Sequence, residues 1–148
     1  MYLLPNRLIV AMNVALFIAY NGREDRPVPN AEIVAYFDHL KERSLEPVLQ
    51  KLSGSGIITS IKGSKGGYYV EDPENTTLRD IFECFVDSAS PEDGGFGSYE
   101  RILSAQIEDW YGKGLGMLSV TSLKYLCNEA RKAYIPTIET PPPLDFVV

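Results

Sequence analysis

The fold of this chain is decided by the stretch Ile57-Ile58-Thr59-Ser60-Ile61-Lys62-Gly63-Ser64-Lys65-Gly66-Gly67-Tyr68-Tyr69-Val70. Two short runs of β-branched and aromatic residues flank a tight segment that holds three glycines and two lysines. This pattern predicts a β-hairpin with a positively charged tip. Because such a tip suits a phosphate or the minor groove of DNA, the hairpin is a candidate nucleic-acid contact.

The residues before the hairpin predict two short helices joined by a turn. The first helix covers residues 30–37, with Asn30 as its cap, and the turn covers residues 38–41. The second helix covers residues 44–53, with Ser44 as its cap and Pro47 in its first turn, where a missing N–H does little harm. Together with the basic hairpin, these helices describe a winged helix-turn-helix, in which the second helix enters the major groove.

Helices are also predicted on both sides of this motif. Pro5 suits the first turn of a helix that ends near Tyr20. The apolar stripe predicted for this first helix consists of Leu8, Met12, Ala15, Leu16 and Ala19. After the hairpin, Thr77 and Asp80 have the spacing of a capping box that opens a helix ending near Val86. Residues 87–97 are rich in Ser, Pro, Asp and Gly and indicate a loop.

A long helix is predicted from Ser98 onward. Leu103, Ile107, Trp110 and Gly114 recur in it at spacings of four, three and four residues. This repeat is typical of a seam that packs against a partner helix. The seam therefore predicts a dimer interface.

The last helix is predicted to begin with Thr121 as its cap and to end near Tyr134. The fold class is thus mainly α with a small β-hairpin wing, that is, a winged helix-turn-helix plus a long dimerisation helix. We expect a DNA-binding domain at residues 1–73, a helical dimerisation region at residues 74–134 and an extended tail at residues 135–148. The tail contains three consecutive prolines, which favour an extended backbone.

The charge distribution favours nucleic acid more than the net charge of −6 suggests. Residues 1–73 carry eight basic and eight acidic side chains, whereas residues 74–148 carry six basic and twelve acidic ones. Between Lys41 and Lys65 there are five basic and two acidic residues, a local charge of +3. The predicted DNA-binding motif is therefore modestly positive, and the acidic excess lies in the second half of the chain.

Several functional classes receive no support from the composition. The longest apolar run, residues 8–20, is shorter than a membrane span, so we expect a cytoplasmic protein with no membrane partner. One histidine, no nucleophile motif and no phosphate-binding loop predict that the chain is not an enzyme. The two cysteines, Cys84 and Cys127, lie in apolar helical patterns, which predicts free, buried thiols.

Four segments of the chain resemble the Rrf-two (Rrf2) family of bacterial transcription regulators. They are Leu45–Leu52, Gly56–Ile58, Lys62–Tyr68 and Thr77–Ile81. The resemblance is good over about residues 3–86 and looser over residues 98–126. It implies a winged-helix homodimer that binds a partly palindromic operator and acts as a repressor, with double-stranded DNA and a second copy of the chain as its partners.

Carried over position by position, the resemblance implies that Arg43 and Glu46 read base edges in the major groove and that Lys62 enters the minor groove. Three further residues, Ser44, Lys51 and Lys65, are expected to contact DNA, and Leu103, Ile107 and Trp110 are expected to form the dimer interface. More familiar members hold a glutamine where this chain has Pro47. Proline cannot hydrogen-bond a base there, so the base preference is expected to differ.

Cluster-binding members of the family place three cysteines in the loop between the wing domain and the dimerisation helix, because thiolates are the ligands that iron–sulfur clusters favour. The corresponding loop here, residues 87–97, contains none. We therefore expect no cofactor and no metal ligands.

Two alternatives stay open at this point. One is a winged-helix module that binds other proteins through its acidic second half and proline-rich tail. The other is a regulator with an unidentified effector, either a protein or a small molecule held at the dimer interface. The aromatic residues that would line such a pocket are Trp110, Tyr111, Tyr125 and Tyr134.

Overall fold

The computed structural model describes residues 4–40, 42–86 and 98–138, with the backbone alone at residues 42–44. These residues form six helices and one two-stranded antiparallel sheet. The elements in chain order are α1 (Asn6–Asn21), α2 (Asn30–Tyr36), α3 (Glu42–Gly54), β1 (Thr59–Ile61), β2 (Gly67–Tyr69), α4 (Leu78–Phe85), α5 (Ser98–Ser119) and α6 (Leu123–Lys132). The predicted winged helix-turn-helix with a long following helix is confirmed.

Helix α1 is the centre of the fold, because α2, α3, α4, α6 and β2 all pack against it. Its buried residues are Leu8, Ala11, Val14, Ala15 and Ile18. The predicted stripe was therefore partly wrong, since Met12, Leu16 and Ala19 are only half-buried. The helix is apolar around most of its circumference and has neighbours on several sides, so the apolar spacing does not single out one face.

One hydrophobic core joins the helix-turn-helix to the later helices. Leu45, Val48, Leu49 and Leu52 of α3 are all buried, as their spacing predicts. In the same core lie Ile33 of α2, Ile81 of α4 and Leu123 of α6. Full burial of one such aliphatic side chain contributes about 1.5–3 kcal/mol. The apolar side of α3 is thus fixed, which leaves its opposite side free for recognition.

The starts of α2 and α3 differ from the predictions. Pro29 occupies the cap position of α2, and Asn30 is the first helical residue and makes no capping hydrogen bond. Helix α3 begins at Glu42, two residues before the predicted cap Ser44, which places Pro47 in the second turn. Proline has no N–H, so the carbonyl of residue 43 lacks its usual intrahelical donor.

The helix after the wing starts as predicted, whereas the last helix does not. The backbone N–H of Thr77 donates to Asp80 Oδ2 at 2.8 Å and that of Asp80 to Thr77 Oγ1 at 3.3 Å, which confirms the capping box. In α6 the cap is Ser122, not Thr121, and its Oγ accepts from the N–H of Tyr125 at 3.0 Å. The Thr121 carbonyl instead accepts from the N–H of Leu78 at 3.0 Å, which ties the start of α6 to the start of α4.

The chain after α6 turns back along the end of α1. Tyr134 has a left-handed backbone with φ 58°, and the N–H of Ile135 donates to the Ala130 carbonyl at 3.1 Å. The Tyr20 hydroxyl donates to the Ile135 carbonyl at 2.6 Å, and the N–H of Ile138 donates to Asn21 Oδ1 at 2.8 Å. Residues 135–138 of the predicted tail are thus held on α1, and residues 139–148 lie outside the described part.

Among the described helices, none combines the length and the apolar character that a membrane span requires.

Candidate DNA-binding surface

The outer side of α3 presents three exposed side chains to solvent. The side chains of Glu46, Pro47 and Gln50 are exposed, whereas the buried residues of the helix lie opposite. Arg43 and Ser44 belong to the first turn of α3, but their side chains lie outside the described part. Sequence reasoning did not include Gln50 among the site residues, although its spacing of four from Glu46 places both on one face.

Lys51 lies at the edge of this surface rather than within it. It is half-buried, and its ammonium nitrogen is 5.3 Å from the ring centroid of Phe85 in α4. The guanidinium carbon of Arg7 lies 5.6 Å from the same centroid. Two cations thus share one aromatic ring, an arrangement in which each contact contributes about 0.5–1 kcal/mol at an exposed site. Lys51 has a structural contact that the sequence did not reveal.

The hairpin predicted from the sequence is present, with β1 and β2 antiparallel and Ser60 opposite Tyr68. A third segment, which the sequence did not indicate, extends this sheet. The N–H of Val28 donates to the Tyr68 carbonyl at 2.8 Å, and the N–H of Tyr68 donates to the Val28 carbonyl at 2.9 Å. Since Val28 is itself buried, the wing is anchored to the core through the loop that precedes α2.

Two glycines permit the close backbone approaches within the wing. A Cβ atom on Gly67 would lie 2.2 Å from the Val28 carbonyl oxygen, and one on Gly66 would lie 2.2 Å from the Ile61 carbonyl oxygen. Gly63 has φ +117°, which only glycine adopts readily. The glycine-rich tip therefore has a structural explanation at each position, in addition to its suitability for a DNA contact.

The charge of the wing comes from its two lysines. Lys62 and Lys65 are both exposed at the tip between β1 and β2. Burial, with smaller contributions from Glu24 and Glu71, raises the pKa of Tyr69, so this phenol stays neutral at physiological pH. The residues between β1 and β2 include no acidic side chain, although Asp25 and Glu32 line the same surface pocket as Lys65.

The long helix α5 carries an apolar stripe with no partner among the described residues. None of its 22 residues is buried, and the exposed fractions of Leu103, Ile107 and Trp110 are 61%, 53% and 64%. At about 100° per residue, these three and the exposed Tyr99 and Met117 fall within an arc of about 80°. Contiguous exposed apolar surface of this kind marks an interaction site.

The four aromatic residues considered for a ligand pocket are all exposed in the protomer. Tyr111 faces α4, with its ring centroid 5.9 Å from that of Phe82. Trp110, Tyr125 and Tyr134 are exposed. The pocket was predicted at the dimer interface, and it stays a prediction.

The thiols do not provide a cluster site. Cys127 in α6 is buried as predicted, with 4% of its surface exposed, whereas Cys84 is only half-buried because it packs at the edge of the core. The Sγ of Cys84 lies 2.8 Å from Ser55 Oγ. Burial raises the pKa of Cys127, an effect that Arg131 partly opposes. Among the described residues, no group of three or more His, Cys, Asp and Glu side chains is arranged to hold a metal ion. The donor set of this chain therefore does not fit an iron–sulfur cluster, which needs several thiolates.

The fold and this surface define a class of protein, the winged-helix DNA-binding proteins with a long helix after the wing. The sequence profile of Rrf2, described as "Iron-dependent Transcriptional regulator", matches residues 4–104. The chain belongs to the Rrf2 family, as the resemblance implied. It is accordingly a DNA-binding transcription regulator and not an enzyme.

Solved structures share the fold. CymR (YrzC), the global cysteine regulator of B. subtilis, is 23% identical, with a TM-score of 0.66 over 87% of this chain and 98% of that chain. IscR of T. potens is 18% identical, with a TM-score of 0.71 over 89% of this chain and 90% of that chain. A putative transcriptional regulator from Listeria innocua is 26% identical, with a TM-score of 0.51 over 84% of this chain and 82% of that chain. No curated protein sequence matches this chain.

Proposed function

We propose that this protein is a repressor that acts in the cytoplasm as a homodimer on a partly palindromic operator, without an iron–sulfur cluster. Helix α3 reads the major groove through Arg43 and Glu46, and the wing contacts the flanking DNA through Lys62 and Lys65. The observation that carries this proposal is the exposure of the outer side of α3 together with a wing whose two tip lysines are also exposed.

The two parts of this surface have different chemistry and should contribute differently. A carboxylate accepts hydrogen bonds only, so Glu46 suits the amino group of cytosine and is repelled by phosphates. Lysines suit phosphates because each neutralised phosphate releases counterions. Helix α3 is therefore expected to supply specificity and the wing to supply affinity.

Alanine variants measured on two duplexes test this division. The duplexes are a site from the region upstream of the protein's own gene and a scrambled copy, and the affinity is followed over a salt series. We expect Arg43→Ala to cost about 1–3 kcal/mol on the first duplex and much less on the second. Lys65→Ala should weaken both alike and reduce the slope of log K against log salt by about one. Lys62→Ala should fall between these patterns, because a minor-groove lysine also senses groove width.

If none of these variants changes the affinity, and Glu46→Ala does not change it either, then α3 and the wing do not form the DNA-binding face. Unaltered affinity in all four variants, or no DNA binding at all, would favour the alternative of a winged-helix module that binds other proteins.

The dimer is proposed through α5. The stripe defined above is exposed in the protomer, and a second α5 packed against it in an isologous interface would cover it. Gly114 lies at a seam position, and among the described residues no atom beyond the neighbouring backbone of α5 comes within 4 Å of a Cβ placed there. A glycine at that point allows two helices to approach closely. It lowers the stability of the isolated helix by roughly 1 kcal/mol relative to alanine, so packing against a partner must hold this part of α5.

Sedimentation of matched variants tests this interface. Trp110→Asp places a charge on the stripe, whereas Ala105→Asp places the same charge on an exposed position of α5 far from the stripe. We expect the unmodified protein and Ala105→Asp to be dimers at micromolar concentration and Trp110→Asp to be a monomer. A monomeric unmodified protein, or a dimer that survives Trp110→Asp, would contradict the proposed interface.

The absence of a cluster is proposed from the donor set. Residues 87–97, the predicted loop, lie outside the described residues and contain no cysteine. The two cysteines of the chain lie on different helices, α4 and α6. Protein produced and purified without oxygen should be colourless and free of iron. Visible charge-transfer absorption with stoichiometric iron and sulfide, lost in Cys84→Ala, would contradict this expectation.

A further inference from the structure

Gln50 occupies a position on α3 that its side-chain chemistry suits for reading a base. It is exposed on the same face as Glu46, one helical turn further along. The helix around it is held by Val48, Leu49 and Leu52, all buried, so the backbone that carries Gln50 is fixed by the core.

The chemistry of the exposed face distinguishes Gln50 from its neighbours. Glu46 carries only acceptors and Pro47 carries no side-chain polar group, whereas a glutamine amide presents a donor and an acceptor side by side. That pair matches the N6 donor and N7 acceptor of adenine in the major groove, and this match is specific to one base pair. A neutral amide gains no counterion-release term from phosphates, so a contribution from Gln50 is expected to depend on sequence.

The separation of the two side chains fits the spacing of base pairs. Four residues of α-helix advance by about 6 Å, and successive base pairs are about 3.4 Å apart. A helix that runs along the groove thus places Gln50 about two base pairs from the base that Glu46 contacts.

We propose that Gln50 is a specificity-determining residue that reads an adenine in each operator half-site, about two base pairs from the base pair read by Glu46. The proposal rests on the proposed function, in which α3 lies in the major groove. It adds a base identity and a position to the operator.

The test uses the full-length protein and an operator obtained by selection from a random duplex pool. Each half-site position is then replaced by the other three base pairs, and affinities are measured for the unmodified protein, Gln50→Ala and Gln50→Glu. We expect the unmodified protein to prefer adenine at one position by roughly tenfold. Gln50→Ala should bind all four base pairs there alike, with unchanged preferences elsewhere and an unchanged salt slope. Gln50→Glu should prefer cytosine at that position.

A chemically modified base provides the matched control. Replacing the critical adenine by 7-deazaadenine removes the N7 acceptor but leaves Watson–Crick pairing intact. The change should weaken binding of the unmodified protein and leave binding of Gln50→Ala unaffected. An equal loss by both proteins, or an equal effect of Gln50→Ala on selected and scrambled duplexes, would overturn the assignment. Failure of the unmodified protein to select any duplex would instead contradict the proposed function itself.

Discussion

Replacement of Gly67 by alanine tests how the wing is anchored. The φ of Gly67 lies outside the left-handed range, so alanine fits the local backbone and the only obstacle is contact. Its Cβ would lie 2.2 Å from the Val28 carbonyl oxygen, 2.5 Å from the Val28 carbonyl carbon and 2.9 Å from Pro29 N. All three are backbone atoms, which cannot move aside by a side-chain rotation. The pair of hydrogen bonds between Val28 and Tyr68 must therefore break or lengthen.

The size of the effect follows from those two bonds, at 2.8 and 2.9 Å. A net contribution of about 0.5–1.5 kcal/mol for each bond gives a loss of about 1–3 kcal/mol. For a chain of this length, about 2 kcal/mol corresponds to a fall in Tm of roughly 4–8 °C. Because the wing would lose its anchor, affinity for DNA should fall as well, and the contribution of Lys65 should fall with it.

Thermal unfolding of Gly67→Ala beside Gly116→Ala checks this reasoning. Gly116 lies inside α5, and in the described part of the chain no atom beyond the adjoining helix backbone lies within 4 Å of a Cβ placed on it. That control should gain up to about 1 kcal/mol from helix propensity. A Gly67→Ala protein with unchanged Tm and unchanged DNA affinity would refute the anchoring role of the Val28 segment.

Three further substitutions follow from the described contacts. Thr77→Ala removes one half of the α4 capping box and should lower the free energy of unfolding by about 1 kcal/mol, measured by urea denaturation; no change would mean that the cap is replaced by solvent. Tyr134→Gly removes a side chain that is 92% exposed from a residue with a left-handed backbone, so it should raise the free energy of unfolding by about 1 kcal/mol. A lower free energy of unfolding would show that the tyrosine side chain makes a stabilising contact. In a Cys84→Ser protein the remaining thiol, Cys127, is buried with a raised pKa, so its thiolate fraction is low at pH 8. Its reaction with a disulfide reagent should therefore be much slower in the native protein than in denaturant, and equal rates would contradict its burial.

The features that were predicted correctly from the sequence depend on local patterns. The wing followed from two β-prone runs around glycines and lysines, and the buried face of α3 followed from the spacing of its leucines and valine. The capping box at Thr77 also needs only residues close in sequence. In each case the physical cause lies within about ten residues, so the sequence alone reveals it.

The features that were missed depend on tertiary contacts. Val28 joins the wing across forty residues. Ser122 rather than Thr121 caps α6, and Thr121 bonds to other elements: its hydroxyl donates to the Met117 carbonyl and its carbonyl accepts from the N–H of Leu78. The apolar spacing of α1 could not identify its buried face, since several elements surround that helix. In the candidate site, the contact of Lys51 with Phe85 depends on how α3 packs against α4, which no local pattern encodes.

The central claim is that α3 and the wing bind a specific DNA sequence, and a comparison of two affinities tests it most directly. The full-length protein is titrated with its selected operator and with a scrambled duplex of equal length at physiological salt. The proposed function predicts that the operator is bound at least about a thousandfold more tightly than the scrambled duplex. Both affinities should fall as salt rises, because the wing contributes mainly through phosphates. Equal affinity for the two duplexes at every salt concentration would contradict the claim.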